Sequence, residues 1–113
     1  MSDVRSVRVA RADDVPPGRA LRVDVDGAPV ALTRVGERVY ACGAVCGHRG
    51  GPLADGKLSG SRLTCPWHGF MYDVRTGACV FPARGEAVRS YPTRVENGDV
   101  WIDVPAGGAT AAC

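Results

Sequence analysis

Turn signals cut this chain into short pieces, and that punctuation decides what it can fold into. The 113 residues include 15 glycines and 8 prolines, spread between apolar runs too short to build helices. No window of a dozen residues carries a 3.6-residue apolar period. Val4 to Ala10 reads as a first strand. Asp13-Asp14-Val15-Pro16-Pro17-Gly18 reads as a turn that neither a helix interior nor a central strand accommodates. Leu21 to Val25 alternates apolar and charged residues, as a half-buried strand does. Asp26-Gly27 is a hairpin signal, Val30 to Val35 the return strand, and Gly36-Glu37 turns again into Arg38 to Ala41.

The second half repeats the style. Arg62 to Thr64, Met71 to Val74 and Ala78 to Val80 read as short strands, with Arg75-Thr76-Gly77 turning between the last two. Thr93 to Glu96 and Val100 to Val104 flank Asn97-Gly98-Asp99. Asn-Gly accepts the positive φ angles of a type I′ turn, so this is the clearest hairpin in the chain. The pattern predicts an all-β fold, a small antiparallel β-sandwich or partly open barrel. It predicts one domain over residues 1–105 and a disordered small-residue tail over 106–113. Gly43 to Ser61 does not read as strand. It is long, glycine-rich and unpatterned, the mark of a functional loop.

Composition narrows the function classes. A net charge of +2 from 14 basic and 12 acidic residues, with no basic stripe, excludes a typical nucleic-acid binder. No apolar run approaches the roughly 20 residues of a membrane span, so no membrane association is expected. The N-terminal stretch has no apolar core of a signal peptide, which points to the cytoplasm. There, five cysteines are metal ligands or buried thiols before they are disulfides.

The only two histidines, His48 and His68, each follow a cysteine closely. Cys46-Gly47-His48 and Cys65-Pro66-Trp67-His68 stand 16 residues apart, counted from His48 to Cys65. Each loop therefore offers one thiolate and one imidazole. A tetrahedral zinc would accept that set, making a zinc-stapled interaction module. Zinc modules, however, usually pair like ligands in one knuckle. One of each per loop suits a diiron cluster whose two ends differ, with two thiolates on one iron and two imidazoles on the other.

In CGHRGGPLADGKLSG and LTCPWHGFMYDVRTG the chain resembles the Rieske [2Fe-2S] proteins, and ADDVPPG, DGAPVALTRVGERVYA and SYPTRVENGDVWIDV extend the likeness to standalone Rieske ferredoxins across nearly all of it. The resemblance implies one Rieske-type [2Fe-2S] cluster held in a two-loop subdomain over about residues 43–72. Cys46 and Cys65 would ligate the inner iron. His48 and His68 would ligate the outer iron through Nδ1. It implies no catalytic residue of the chain's own and a one-electron carrier between a flavin-containing reductase and a terminal oxygenase. The small subunit of NAD(P)H-dependent nitrite reductase is the alternative. No histidine follows His68, so no oxygenase domain with its own mononuclear iron is expected.

Several positions bear on tuning. High-potential Rieske proteins carry an extra cysteine in each loop and a serine after the second His-Gly pair. Here Gly50 or Gly51 and Trp67 replace the cysteines, and Phe70 replaces the serine. Tyr72 matches their tyrosine and would donate to the Cys65 sulfur, or would serve as a core aromatic. Fewer donors to the sulfurs predict a low midpoint for a Rieske centre, roughly −150 to +50 mV. Trp67 reads as packing the second loop onto the sheet or as a docking aromatic, and Arg49 as a solvated arginine or as a charge for an acidic partner. Val80-Phe81-Pro82-Ala83 resembles the proline loop that covers the cluster. Cys42 and Cys79 read as buried inert thiols, with a disulfide between them or ligation by Cys42 as the minor readings, and Cys113 as an exposed tail thiol.

Overall fold

The structure is a computed structural model that describes residues 4–25, 27–44, 53–67, 69–81 and 87–105. Strand β1 (Val4–Arg11) leads through a 3-10 turn (Ala12–Asp14) to β2 (Leu21–Val25), β3 (Ala28–Val35) and β4 (Arg38–Gly43). A second 3-10 turn (Leu53–Asp55) precedes β5 (Lys57–Ser59), β6 (Arg62–Thr64), β7 (Met71–Asp73) and β8 (Cys79–Phe81). The chain closes with β9 (Ser90–Tyr91), β10 (Thr93–Glu96) and β11 (Asp99–Pro105). The described strands form three antiparallel sheets in the orders β1-β11-β10, β2-β3-β4-β9 and β5-β6-β7-β8.

The middle sheet is a wall shared by two cores. Val30, Leu32 and Ala41 belong to a cluster that also holds Val100, Ile102 and Val104 of β11. Ala31 and Cys42, one residue out of phase, belong to a second cluster with Leu58, Leu63, Cys65 and Tyr72. Alternation along a strand puts these two sets on opposite faces. That is why β3 loses the half-buried alternation of β2 and is buried almost continuously from Ala28 to Thr33.

Thr33 lies on the Ala31 side, and its buried hydroxyl has no hydrogen-bond partner among the described residues. An unpartnered buried hydroxyl costs about 1–3 kcal/mol. Thr33→Val keeps the shape and removes the group. It is expected to raise the unfolding free energy by about 1 kcal/mol, read from a urea midpoint; a lowered midpoint would contradict this.

The all-β reading holds, with local corrections. Ala12–Asp14 forms a 3-10 turn that overlaps the start of the stretch read as a turn from Asp13 to Gly18. It is held because the Arg34 guanidinium donates to the carbonyls of Val15 and Ala12, a distant contact that no local pattern reports. Gly43 to Ser61 is not free of strand: it contains β5, and Leu53, Ala54 and Leu58 are buried. A three-residue strand with one buried side chain offers no alternation to read. The Asn97-Gly98 turn is as expected, with φ of 54° and 81°. The tail over 106–113, including Cys113, lies outside the described residues.

Candidate metal centre

Cys65 directly follows β6 and is 1% exposed. Its backbone N–H donates to the Phe70 carbonyl at 2.7 Å, so residues 65–70 form a loop closed at its base. Below it, Thr64 opposes Met71 and Leu63 opposes Tyr72. Leu63 and Tyr72 are fully buried and anchor the loop to the second core. At the other extreme Trp67 is 50% exposed, so it does not pack the loop onto the sheet as a core aromatic would.

The other loop is anchored on the same core. The chain leaves the described residues at Ala44 and returns at Leu53, both buried members of the cluster that holds Cys65. The Ala54 N–H donates to the Ala44 carbonyl at 3.3 Å, and the Ala44 N–H to the Pro29 carbonyl at 3.0 Å. Both ends of the segment carrying Cys46 and His48 are thus pinned beside Cys65. Cys46, His48, Arg49, Gly50, Gly51 and His68 themselves lie outside the described residues, as do Pro82 and Ala83 of the proline loop.

The remaining described cysteines are not gathered into a metal site. No group of three or more His, Cys, Asp or Glu side chains is clustered for a metal among the described residues. No disulfide joins Cys42, Cys65 or Cys79, which removes the Cys42–Cys79 bridge. Cys42 is buried as expected, whereas Cys79 is only half-buried, its Sγ 3.5 Å from the Phe81 carbonyl. Its place on β8, at the sheet edge, leaves one side open.

The donor chemistry suits an iron–sulfur cluster. A buried thiolate is costly unless a cation balances it, and Cys65 is buried at the base of its loop. Tyr72 shares its core. Next to Tyr72, the Asp73 carboxylate accepts from the Arg75 guanidinium at 2.9 and 3.1 Å and from the Arg75 N–H at 3.0 Å. Chiefly through the guanidinium hydrogen bonds, Arg75 holds the Asp73 carboxyl below its ordinary value of 3.8, although partial burial opposes this. A lowered carboxyl pKa stabilises the fold at neutral pH, and that contribution fades as pH falls below about 4. Asp73→Asn is expected to flatten the acid limb of a stability-versus-pH curve below about pH 4; a variant curve parallel to wild type there would contradict it.

Comparison with known proteins now decides the family. Residues 5–92 match the Rieske [2Fe-2S] domain. This chain belongs to the Rieske [2Fe-2S] family. Its cofactor is a Rieske [2Fe-2S] cluster, and its work is electron transfer rather than catalysis of its own. The Rieske chain is 37% identical over 103 residues to the ferredoxin component of the p-cumate 2,3-dioxygenase system of Pseudomonas putida, covering 88% of this chain and 86% of that one. Its fold is similar to the ferredoxin of carbazole 1,9a-dioxygenase from Nocardioides aromaticivorans IC177, with a TM-score of 0.80, 36% identity and coverage of 86% and 95%. Another similar structure is a complex of reduced oxygenase and oxidised ferredoxin in carbazole 1,9a-dioxygenase (TM-score 0.78, 33% identity, coverage 85% and 99%). A nitrite reductase small subunit from Mycobacterium tuberculosis shares the fold at TM-score 0.78 but only 26% identity, with coverage of 88% and 95%. No helix among the described residues is long and apolar enough to cross a membrane.

Proposed function

We propose that this Rieske protein holds its cluster through Cys46, His48, Cys65 and His68 and carries single electrons in the cytoplasm from a flavin-containing reductase to a terminal oxygenase. The observation that carries the ligand set is the convergence of both loop bases on one core. Cys65 sits in it, and so do Ala44 and Leu53, the described residues on either side of the segment bearing Cys46 and His48. When bound, the cluster would supply one-electron redox chemistry. The chain's own residues hold it still and shield it. The closed loop over residues 65–70 keeps the Cys65 sulfur in place, and the buried side chains of Leu63 and Tyr72 support that loop. Tyr72 would donate to the Cys65 sulfur.

The exposed Trp67, two residues from Cys65, would form part of the surface that meets the oxygenase. An oxygenase–ferredoxin complex exists for a similar protein, and the lower identity to the nitrite reductase subunit favours the oxygenase reading. The test is a reconstituted relay: NADH, a flavin reductase and the oxygenase of an aromatic-ring dioxygenase system, with and without this protein. Turnover that depends on it supports the reading; turnover indifferent to it overturns the reading. A redox titration supplies a second check, with an expected midpoint between about −150 and +50 mV. A midpoint above that band would contradict the account of few donors to the sulfurs.

A further inference from the structure

Four backbone pairings line up as one row on the outer face of the β5–β8 sheet. Arg19 bridges Lys57, Lys57 opposes Thr64, Thr64 opposes Met71 and Met71 opposes Phe81. The neighbouring row of Leu58, Leu63, Tyr72 and Cys79 packs against the core, so alternation along β5, β6 and β7 turns Lys57, Thr64 and Met71 to the other face; a register shift in the β7–β8 pairing brings Phe81, two residues from Cys79, opposite Met71 on that face. At about 4.8 Å per strand the row is about 20 Å long. One end is apolar, with Phe81 58% exposed.

The other end is cationic. Arg19 and Lys57 are both exposed and stand directly opposite each other on an antiparallel bridge. Like charges in that arrangement raise the free energy of the fold. Neither forms an ion pair or side-chain hydrogen bond with another described residue. Asp14 and Asp55 line the same open groove of about 580 Å³, yet neither comes within ion-pair distance of them. Two opposed cations with no ion-pair partner among the described residues have no evident internal use there, whereas carboxylates arriving from outside would relieve the repulsion.

We propose that this row is a docking strip for the acidic surface of an electron-transfer partner protein, with Arg19 and Lys57 receiving its carboxylates and Phe81 an apolar contact. The inference rests on the electron-carrier reading and deepens it. The strip runs through Thr64, the residue before Cys65, so a partner seated on it lies against the strand that leads into the proposed cluster loop. Complementary charge at such a surface speeds encounter and is screened by salt.

The probe is the oxygenase of a carbazole 1,9a-dioxygenase system, supplied with electrons through this protein. In the double variant Arg19→Gln/Lys57→Gln, the KM for the carrier rises about three- to tenfold at low ionic strength, and the gap closes above about 0.3 M salt. Phe81→Ala raises KM at every salt concentration. The double variant melts no lower than wild type, because it loses a repulsion, so a folding defect cannot mimic the effect. Lys57 is the only lysine in the chain, so carbodiimide cross-linking to the oxygenase maps to it. Unchanged KM values, or cross-links through the N-terminal amine alone, would overturn the docking strip. A wild-type protein that exchanges no electrons with the oxygenase would instead overturn the carrier reading, and the strip with it.

Discussion

Replacing Gly56 with alanine is expected to destabilise the protein more than any other single methyl addition to a described glycine of the cluster subdomain's β5–β6 region, and to empty its metal site. A β-carbon on Gly56 would lie 2.0 Å from the Thr64 carbonyl oxygen, 2.8 Å from the Thr64 carbonyl carbon and 3.0 Å from the Leu53 carbonyl oxygen. All three neighbours are backbone, so no rotamer change can make room. Overpacking of this kind costs about 1–3 kcal/mol, occasionally more, against a total of about 5–15 kcal/mol for a small domain. The strain falls where function is most exposed to it. Thr64 precedes Cys65, and Leu53 is the first described residue after the segment with Cys46 and His48 and a member of the same core. Either neighbour must shift to admit the methyl, and the two loop bases then part. The expected result is a urea midpoint lowered by the equivalent of about 3 kcal/mol, with iron content falling well below that of wild type. Wild-type stability and full iron content in Gly56→Ala would contradict the close approach.

Substituting the proposed ligands should have the second large effect. Cys46→Ala, His48→Ala, Cys65→Ala and His68→Ala are each expected to yield protein with little bound iron. A cluster that loses one of its four protein ligands loses both its anchorage and the charge balance of the buried thiolates. The remaining cysteines make the control. Cys42→Ala, Cys79→Ala and Cys113→Ala should retain iron, because none of the three belongs to the proposed set of two thiolates and two imidazoles. Cys42→Ala leaves a small void in a fully buried position and should lower stability by about 1 kcal/mol without emptying the site. Iron analysis of the seven variants separates the two sets. Loss of iron in Cys42→Ala or Cys79→Ala, with retention in Cys65→Ala, would reassign the ligands.

What the sequence makes legible, and what it hides, follows from the range of the interactions involved. The Asn97-Gly98 hairpin is legible because its cause is local: two adjacent residues must take positive φ, and that pair does so readily. The Rieske family is legible in the paired Cys-x-His and Cys-x-x-His pattern, because ligand chemistry demands particular residue types at particular spacings. Strand β3 is only half legible. Its apolar run marks it as a strand, but burial on both faces depends on a third layer that its own residues do not encode. Gly56 is opaque. It reads like any turn glycine, and the carbonyl that requires it belongs to Thr64, in the next strand. Phe81 is similar: its exposure comes from standing on edge strand β8, and the Arg19–Lys57 opposition exists only once an isolated bridge brings residues 19 and 57 together.

Iron, zinc and acid-labile sulfide, measured together on anaerobically purified protein, bear most directly on the central claim that this chain houses a [2Fe-2S] centre of mixed cysteine and histidine ligation. Two irons and two sulfides per chain, little zinc, and an EPR signal that appears on one-electron reduction and differs from that of an all-cysteine cluster are the expected result. One zinc per chain with no sulfide and no reducible signal would contradict it.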